Sequence, residues 1–219
     1  MDLFLKDKTV LLYGSGDYLD GVILRALAQE GAKVLAATTS SDDEFMMPLV
    51  PGHPHWSSTE TEFDESVGER LILFLRDQNR APSAVVAHID LEVLKSAPDR
   101  PRRWWRSQFS ETSLMLGVLR AVIAAIPATG NCNVVFVYQL QQEGDEYGAY
   151  KWLEAAMASV IHHADTEQML DVRVNSLVVG HDDAFPEAGD LVTYLCSPLA
   201  KRVSGSFITV DDGSILRRT

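Results

Sequence analysis

YGAYKWLEAAMASVI (residues 147–161), followed by VRVNSLVVG (172–180), is the part of the sequence that decides the fold. Tyr147 and Lys151 are four residues apart, which places both side chains on one face of a predicted helix. Apolar residues recur at helical spacing from Leu153 to Ile161, so this helix has one apolar face. The segment 172–180 is rich in valine and ends in glycine, a pattern typical of a buried parallel strand.

The segments on either side alternate between strand and helix patterns. Further strands are predicted at 8–14, 31–38, 84–89, 133–138 and 207–210, and helices at 21–30, 62–79 and 191–195. The cluster Arg100–Arg106 leads into a further long helix that runs through Ile126. Residues 40–60 are acidic and then rich in Pro, Gly and His, which indicates a surface loop. The alternation predicts an α/β protein with a Rossmann-like, doubly wound parallel sheet, in a single domain over residues 1–219.

The bulk composition excludes several functional classes. The chain has 219 residues and a net charge of −12, which disfavours binding to the phosphates of nucleic acid. No apolar run is long enough to span a membrane, and the N-terminus lacks a signal-peptide pattern. Cys132 and Cys196 form neither a disulfide framework nor a metal-binding spacing, so a cytoplasmic location is expected.

Three segments in order carry a family resemblance: Tyr147-x-x-x-Lys151, RVNSLVVG (173–180) and SGSFITVDDG (204–213). Together they resemble the short-chain dehydrogenase/reductase family, and the likeness covers nearly the whole chain. The resemblance implies a nicotinamide coenzyme bound at a Gly-x-x-x-Gly-x-Gly turn after the first strand. It also implies a catalytic relay of Tyr, Lys, Ser and Asn. A nearby ammonium lowers the pKa of a phenol, which explains the Tyr–Lys pairing, although this spacing is also common on ordinary exposed helices.

The coenzyme turn departs from the family pattern. GSGDYLD (14–20) keeps Gly14 and contains Gly16, but Tyr18 and Asp20 stand where the second and third glycines belong. Asp17 and Asp20 place carboxylates beside the expected diphosphate, where like charges repel by roughly 4 kcal/mol at about 4 Å. Aspartates at a helix start instead cap free N–H groups. The sequence therefore predicts that this chain binds no NAD(P).

The other expected ligands of the coenzyme and substrate are also altered. Thr38 ends the second strand where a ribose-binding carboxylate or a basic residue is expected. Tyr147 and Lys151 match the relay by position, whereas Gln139 stands near the serine position and Thr112 near the asparagine position.

Two further patterns are weaker. His88 and Asp90 replace part of the family's Asn-Asn-Ala-Gly segment, and local hydrogen bonding is the preferred interpretation over a functional pair. His53 and His55 suggest a surface loop rather than a metal site, because no third ligand is placed by the sequence.

Residues 180–191 lead almost directly from the strand at 172–180 into the last helix. The family has a few dozen residues here that cover the nicotinamide and substrate, so the substrate lid is predicted to be deleted. Without a lid, water is not excluded from the site.

The leading hypothesis is a non-catalytic subunit of a heteromeric dehydrogenase, of the kind that oxidises hydroxyacyl-CoA thioesters in the benzylsuccinate pathway. The resemblance implies dimers or tetramers with an active paralogue through the Tyr147–Ile161 helix, the long helix before it and the C-terminal strand. One alternative is an active NAD(P)-dependent oxidoreductase that uses Tyr147 and Lys151. A second is a ligand-sensing regulatory module. The basic and aromatic cluster Arg100–Arg106 is interpreted as a local interaction patch.

Overall fold

The protein is described here from a computed structural model. The structure describes residues 2–38, 55–57, 82–90, 132–139, 154–155, 158, 172–180 and 182–213. The predicted helix at 62–79 and the predicted long helix that ends at Ile126 lie outside these residues. Within the predicted helix at 147–161, the described residues Glu154, Ala155 and Ala158 are helical and exposed.

The centre of the fold is a seven-stranded sheet with the order β3-β2-β1-β4-β5-β6-β7. The strands are β1 Thr9–Gly14, β2 Lys33–Thr38, β3 His55–Ser57, β4 Ala84–Asp90, β5 Cys132–Gln139, β6 Val172–Val179 and β7 Phe207–Val210. Every pairing between neighbouring strands is parallel. The predicted doubly wound parallel sheet is confirmed.

Two helices pack on one face of the sheet, α1 (Tyr18–Gln29) and α2 (Phe185–Cys196). Alternate residues of the central strands contribute to the core on this face, including Val10, Val86 and Val135. The helices come close to each other at Gly189, where an added Cβ would lie 3.1 Å from the Val22 side chain. Small residues at such a crossing allow the helix surfaces to interlock.

The structure corrects three boundaries. The region 40–60 was predicted as loop, but residues 55–57 form the edge strand β3 beside β2. Helix α1 begins at Tyr18 rather than at 21, because Asp17 caps it. Helix α2 begins at Phe185 rather than at 191, with a proline in its first turn, where the missing N–H costs nothing.

The connection between β6 and α2 is short. Strand β6 ends at Val179, a single turn of 3-10 helix covers Asp182–Ala184, and α2 follows at once. The predicted deletion of the substrate lid is confirmed. None of the described helices is long and apolar enough to cross a membrane.

Candidate coenzyme turn

The turn between β1 and α1 lies at the carboxyl ends of the parallel strands. Strand β1 pairs with β2 on one side and with β4 on the other, so the direction of winding changes beside this turn. Ligands of open α/β sheets bind in the crevice at such a switch point. Gly16 has a φ of 83° in this turn, a conformation that side chains other than glycine rarely adopt.

Asp17 caps helix α1. One of its carboxylate oxygens accepts the Asp20 N–H at 3.0 Å, and the other accepts the Ser15 hydroxyl at 2.9 Å. An aspartate at this position satisfies a free N–H group and complements the positive end of the helix dipole. The capping role predicted for Asp17 is therefore observed.

Asp20 is completely buried although it lies in the first turn of α1. Its Oδ2 accepts the Gly16 N–H at 2.7 Å. Its carboxylate also fills the space over Gly14, because a Cβ added to Gly14 would overlap both Asp20 oxygens. In a glycine turn, a phosphate accepts a free backbone N–H and lies close to the backbone. Here the Asp20 side chain accepts that N–H and occupies that space.

His88 completes this group of side chains. The imidazole is fully buried, and its Nδ1 lies 2.9 Å from Asp20 Oδ1 and 3.6 Å from Asp17 Oδ2. The tautomer that carries its proton on Nδ1 donates this hydrogen bond to Asp20. Asp17, Asp20 and His88, here called the turn cluster, link α1 to the carboxyl end of β4.

The turn cluster has a composition that could hold a metal ion, since its ligand atoms lie within 4.8 Å of one another. Its hydrogen bonds argue for a different role. Asp20 Oδ2 is engaged by the Gly16 N–H, and a metal at His88 Nδ1 would have to displace the proton that Asp20 accepts. The start of α1 also carries the positive end of a helix dipole, which disfavours a cation.

The turn does not fit the diphosphate of a nicotinamide coenzyme. The Gly16 N–H is already bonded, the space over Gly14 is filled, and Asp17 and Asp20 add negative charge. Each unit of like charge about 4 Å away costs roughly 4 kcal/mol at an intermediate dielectric. A diphosphate could approach the backbone here only after Asp20 had left its buried position.

An aromatic pair connects the starts of the two helices. The rings of Tyr18, at the start of α1, and Phe185, at the start of α2, have centroids 5.9 Å apart. Tyr18 is among the exposed large side chains, whereas Phe185 is buried. Contacts at this distance are favourable between aromatic rings, so the pair ties the two helix starts together.

Comparison with solved structures identifies the architecture. Enoyl-[acyl-carrier-protein] reductase (NADH) from Aquifex aeolicus aligns with a TM-score of 0.74 at 17% identity, over 97% of this chain and 99% of that one. The chain has the short-chain dehydrogenase/reductase fold. Hydroxysteroid dehydrogenase from Escherichia coli gives a TM-score of 0.73 at 17% identity, over 97% and 99% of the two chains. No protein-family model and no curated protein matches the sequence.

A third protein of this fold, a short-chain dehydrogenase/reductase variant from Serratia marcescens, aligns with a TM-score of 0.72. The identity is 15%, over 95% of this chain and 98% of that one. Such a combination of near-complete overlap and low identity shows a shared fold, which many different activities can use.

The structure brings only some of the predicted site residues together. Gly14, Gly16, Asp17, Tyr18 and Asp20 form one turn. Thr38 ends β2 directly beside Gly14. Gln139 ends β5, where its amide donates to the exposed Asp182 carboxylate at 3.4 Å. Tyr147, Lys151 and Thr112 lie outside the described residues, so the proposed relay stays a prediction.

His88 is the member of the turn cluster whose role the sequence did not show. Local hydrogen bonding was expected, with Asp90 as the nearest carboxylate along the chain. The imidazole contacts Asp20, which is 68 residues away in sequence, whereas the Asp90 side chain lies outside the described residues, so the local bond stays a prediction. The available signal was a histidine inside an otherwise apolar strand, since such a side chain requires a partner when buried.

Proposed function

We propose that the chain is a non-catalytic subunit of an NAD-dependent alcohol or hydroxyacyl dehydrogenase complex. In this role it binds no NAD(P) itself and stabilises an active paralogue of the same fold in the cytoplasm. The observation that carries the proposal is the buried Asp20 carboxylate, which accepts the Gly16 N–H and fills the space over Gly14. The Asp20 carboxylate thereby bonds the backbone N–H that a coenzyme phosphate would otherwise accept.

Two further features support a role without catalysis. The Tyr18–Phe185 pair places two aromatic rings beside the coenzyme turn, at the starts of α1 and α2. The short connection from Val179 to Phe185 leaves little chain to cover a nicotinamide or a substrate. Catalysis of hydride transfer benefits from the exclusion of water, and a site without a lid loses this benefit.

The proposed contact with a paralogue is supported by the position of β7 in the sheet and by the exposure of the predicted interface helix. Strand β7 is the last strand of the sheet order, and all four of its residues are only partly buried. Ala155 and Ala158, in the predicted interface helix 147–161, are helical and exposed, and small residues permit close helix packing.

Titration with coenzyme tests the first half of the proposal. The isolated chain should show no saturable binding of NADH or NADPH by calorimetry up to about 1 mM, and neither coenzyme should raise its Tm. Tyr18→Gly combined with Asp20→Gly restores the Gly-x-x-x-Gly-x-Gly pattern that starts at Gly14, and should gain measurable binding if it folds. Tight binding by the unaltered chain, lost in Lys151→Ala, would contradict the proposal and favour an active oxidoreductase.

Co-expression tests the second half. The chain and an intact short-chain dehydrogenase from the same genome should elute together in size-exclusion chromatography, and the pair should be more active or more heat-stable than the dehydrogenase alone. A bulky charge on the interface helix, as in Ala155→Glu, should separate the two chains. Glu187→Lys, at an exposed position of α2, is the matched control. Separate elution of the unaltered chains would contradict the subunit role.

A further inference from the structure

A second polar site lies at the amino ends of the parallel strands, at the opposite end from the coenzyme turn. It is a pocket of about 330 Å³ beneath the end of α2. This volume is at the lower end of the range typical of small-molecule sites. Its walls come from the residue before β1, the starts of β5 and β6, and the segment after α2.

The charge of this pocket is opposite to that of the protein. Lys8, Arg173 and Lys201 line it, and none of the described lining residues is acidic. The chain as a whole carries a net charge of −12. The nearby Asp7 carboxylate is engaged by Lys33, with Nζ and Oδ1 2.8 Å apart. A local concentration of positive charge in an acidic protein indicates a site for an anion.

Arg173 is the strongest indication of a ligand. Its Nε is buried and has no hydrogen-bond partner among the described residues. Burial lowers the pKa of Arg173, because the charged form loses solvation without gaining a carboxylate. Buried charges in proteins are normally paired, so the guanidinium has capacity for an oxyanion.

Asn133 supplies a hydrogen-bond acceptor to the same pocket. It is buried and lies directly beside Arg173 in the register of β5 and β6, so both side chains are on the same face. The Asn133 Nδ2 donates to the carbonyl oxygens of Cys196 at 2.9 Å and Ser197 at 3.5 Å. These two acceptors fix the orientation of the amide. Asn133 Oδ1 then has no partner among the described residues and can accept from a ligand donor.

We propose that this pocket binds a small oxyanion that carries a hydrogen-bond donor. The anionic oxygens contact Arg173, with Lys8 and Lys201 adding charge, and the donor bonds Asn133 Oδ1. Inorganic phosphate is the minimal probe of this chemistry, because it retains an O–H group at neutral pH. Sulfate has a similar shape and charge but no donor. The site is independent of the coenzyme turn, which lies at the other edge of the sheet.

NMR titration of the full chain with sodium phosphate, at constant ionic strength to hold screening fixed, tests the proposal. Saturable shifts are expected for the amides of Ser83, Asn133 and Arg173, with a Kd on the order of 1 mM. Sulfate should bind at least about threefold more weakly, since it leaves Asn133 Oδ1 unsatisfied. Absence of saturation, or shifts spread over the whole surface, would overturn the proposal. Equal affinity for the two ions would overturn the role of Asn133.

Two matched variants separate a specific site from general attraction. Lys201→Ala should weaken phosphate binding at least about threefold, as expected for loss of one favourable charge pair. Arg202→Ala removes the same charge from the neighbouring exposed position, which does not line the pocket, and should leave the Kd within about twofold. If both substitutions weakened phosphate binding equally, the binding would be nonspecific charge attraction, and the proposed site would be contradicted.

Arg173→Met distinguishes ligand binding from a structural role. The substitution removes an unpaired, partly buried charge and keeps the length of the side chain, so the Tm in phosphate-free buffer should stay unchanged or rise. Phosphate should raise the Tm of the unaltered chain and leave that of the variant constant. A lower Tm without phosphate, together with an unchanged response to phosphate, would show that Arg173 is only structural.

Discussion

At the scale of single residues, two buried polar groups differ in their hydrogen bonding. Asp20 is buried with both oxygens engaged, by the Gly16 N–H and by His88. Arg173 has its Nε buried without a partner among the described residues. Buried charge is tolerated when it is paired and is costly when it is not. The paired Asp20 stabilises a turn, whereas Arg173 has capacity to bind a ligand.

Removal of the Asp20 carboxylate should destabilise the protein strongly. Asp20→Ala removes the acceptor of the Gly16 N–H and the carboxylate that contacts His88 Nδ1, so the free energy of unfolding should fall by about 3–5 kcal/mol. Asp190→Ala, at an exposed position of α2, should change it by less than about 0.5 kcal/mol. Urea denaturation measures both values. A small effect at Asp20 would show that its hydrogen bonds contribute little.

The two cysteines should make stability fall at high pH. Burial raises the pKa of the Cys132 thiol to about 12 and raises that of Cys196 as well. Both folded-state pKa values exceed the unfolded value of 9.0, so the stabilisation is complete below pH 9 and is lost as the pH rises through the folded values. Each thiol should contribute a slope of about 1.4 kcal/mol per pH unit between pH 9 and its folded pKa.

Urea denaturation at several pH values measures this slope. Cys132→Ala should show a shallower dependence than the unaltered chain, which separates the thiols from tyrosine and lysine that titrate in the same range. In agreement with burial, neither native thiol should react with a disulfide reagent at pH 8, whereas both should react in urea. Identical pH profiles of the two proteins would contradict the assignment.

At the scale of elements, the close approach of α1 and α2 holds the two helix starts together. Gly189 allows the contact with Val22 and Ala26, and the Tyr18–Phe185 rings meet at the carboxyl edge of the sheet. The short passage from β6 into α2 places Phe185 where it can reach α1. Deletion of the lid and closure of the turn are therefore connected features of one helix pair.

A large side chain at Gly189 should separate this helix pair. Gly189→Leu forces atoms into the 3.1 Å space before Val22, and such overpacking should cost about 1–3 kcal/mol of unfolding free energy. Asp190→Leu adds the same side chain at the next, exposed position, where no comparable overlap exists, and should be nearly neutral. Thermal unfolding compares the two. Equal Tm values would show that the contact yields without cost.

At the scale of the whole molecule, one continuous sheet separates two sites of opposite character. The turn cluster lies at the carboxyl ends of the parallel strands. The basic pocket, lined by Lys8, Arg173 and Lys201, lies at their amino ends. Strand β5 reaches both edges, from Cys132 to Gln139, and is buried along nearly its whole length. The two edges share this core, although their chemistry is independent.

The shared sheet predicts a single cooperative unfolding transition for residues 1–219. All seven strands are joined by parallel pairing, so no part of the sheet can be lost without exposing its neighbours. Circular dichroism and tryptophan fluorescence should therefore give coincident urea transitions. Two separated transitions would contradict the prediction of one domain.

The sequence by itself determined where six of the strands lie along the chain and that the sheet is parallel, because buried parallel strands are short apolar runs that local pattern makes visible. It also showed that Tyr18 and Asp20 replace glycines, and that little chain separates Val179 from the last helix. Tertiary structure alone decided that Asp20 is buried, that its partner is His88, and that Asn133 and Arg173 share a pocket. These pairs lie dozens of residues apart in sequence, and strand order and register bring them together. Local patterns carry no information about such contacts, since they arise only when separate strands pair in one sheet.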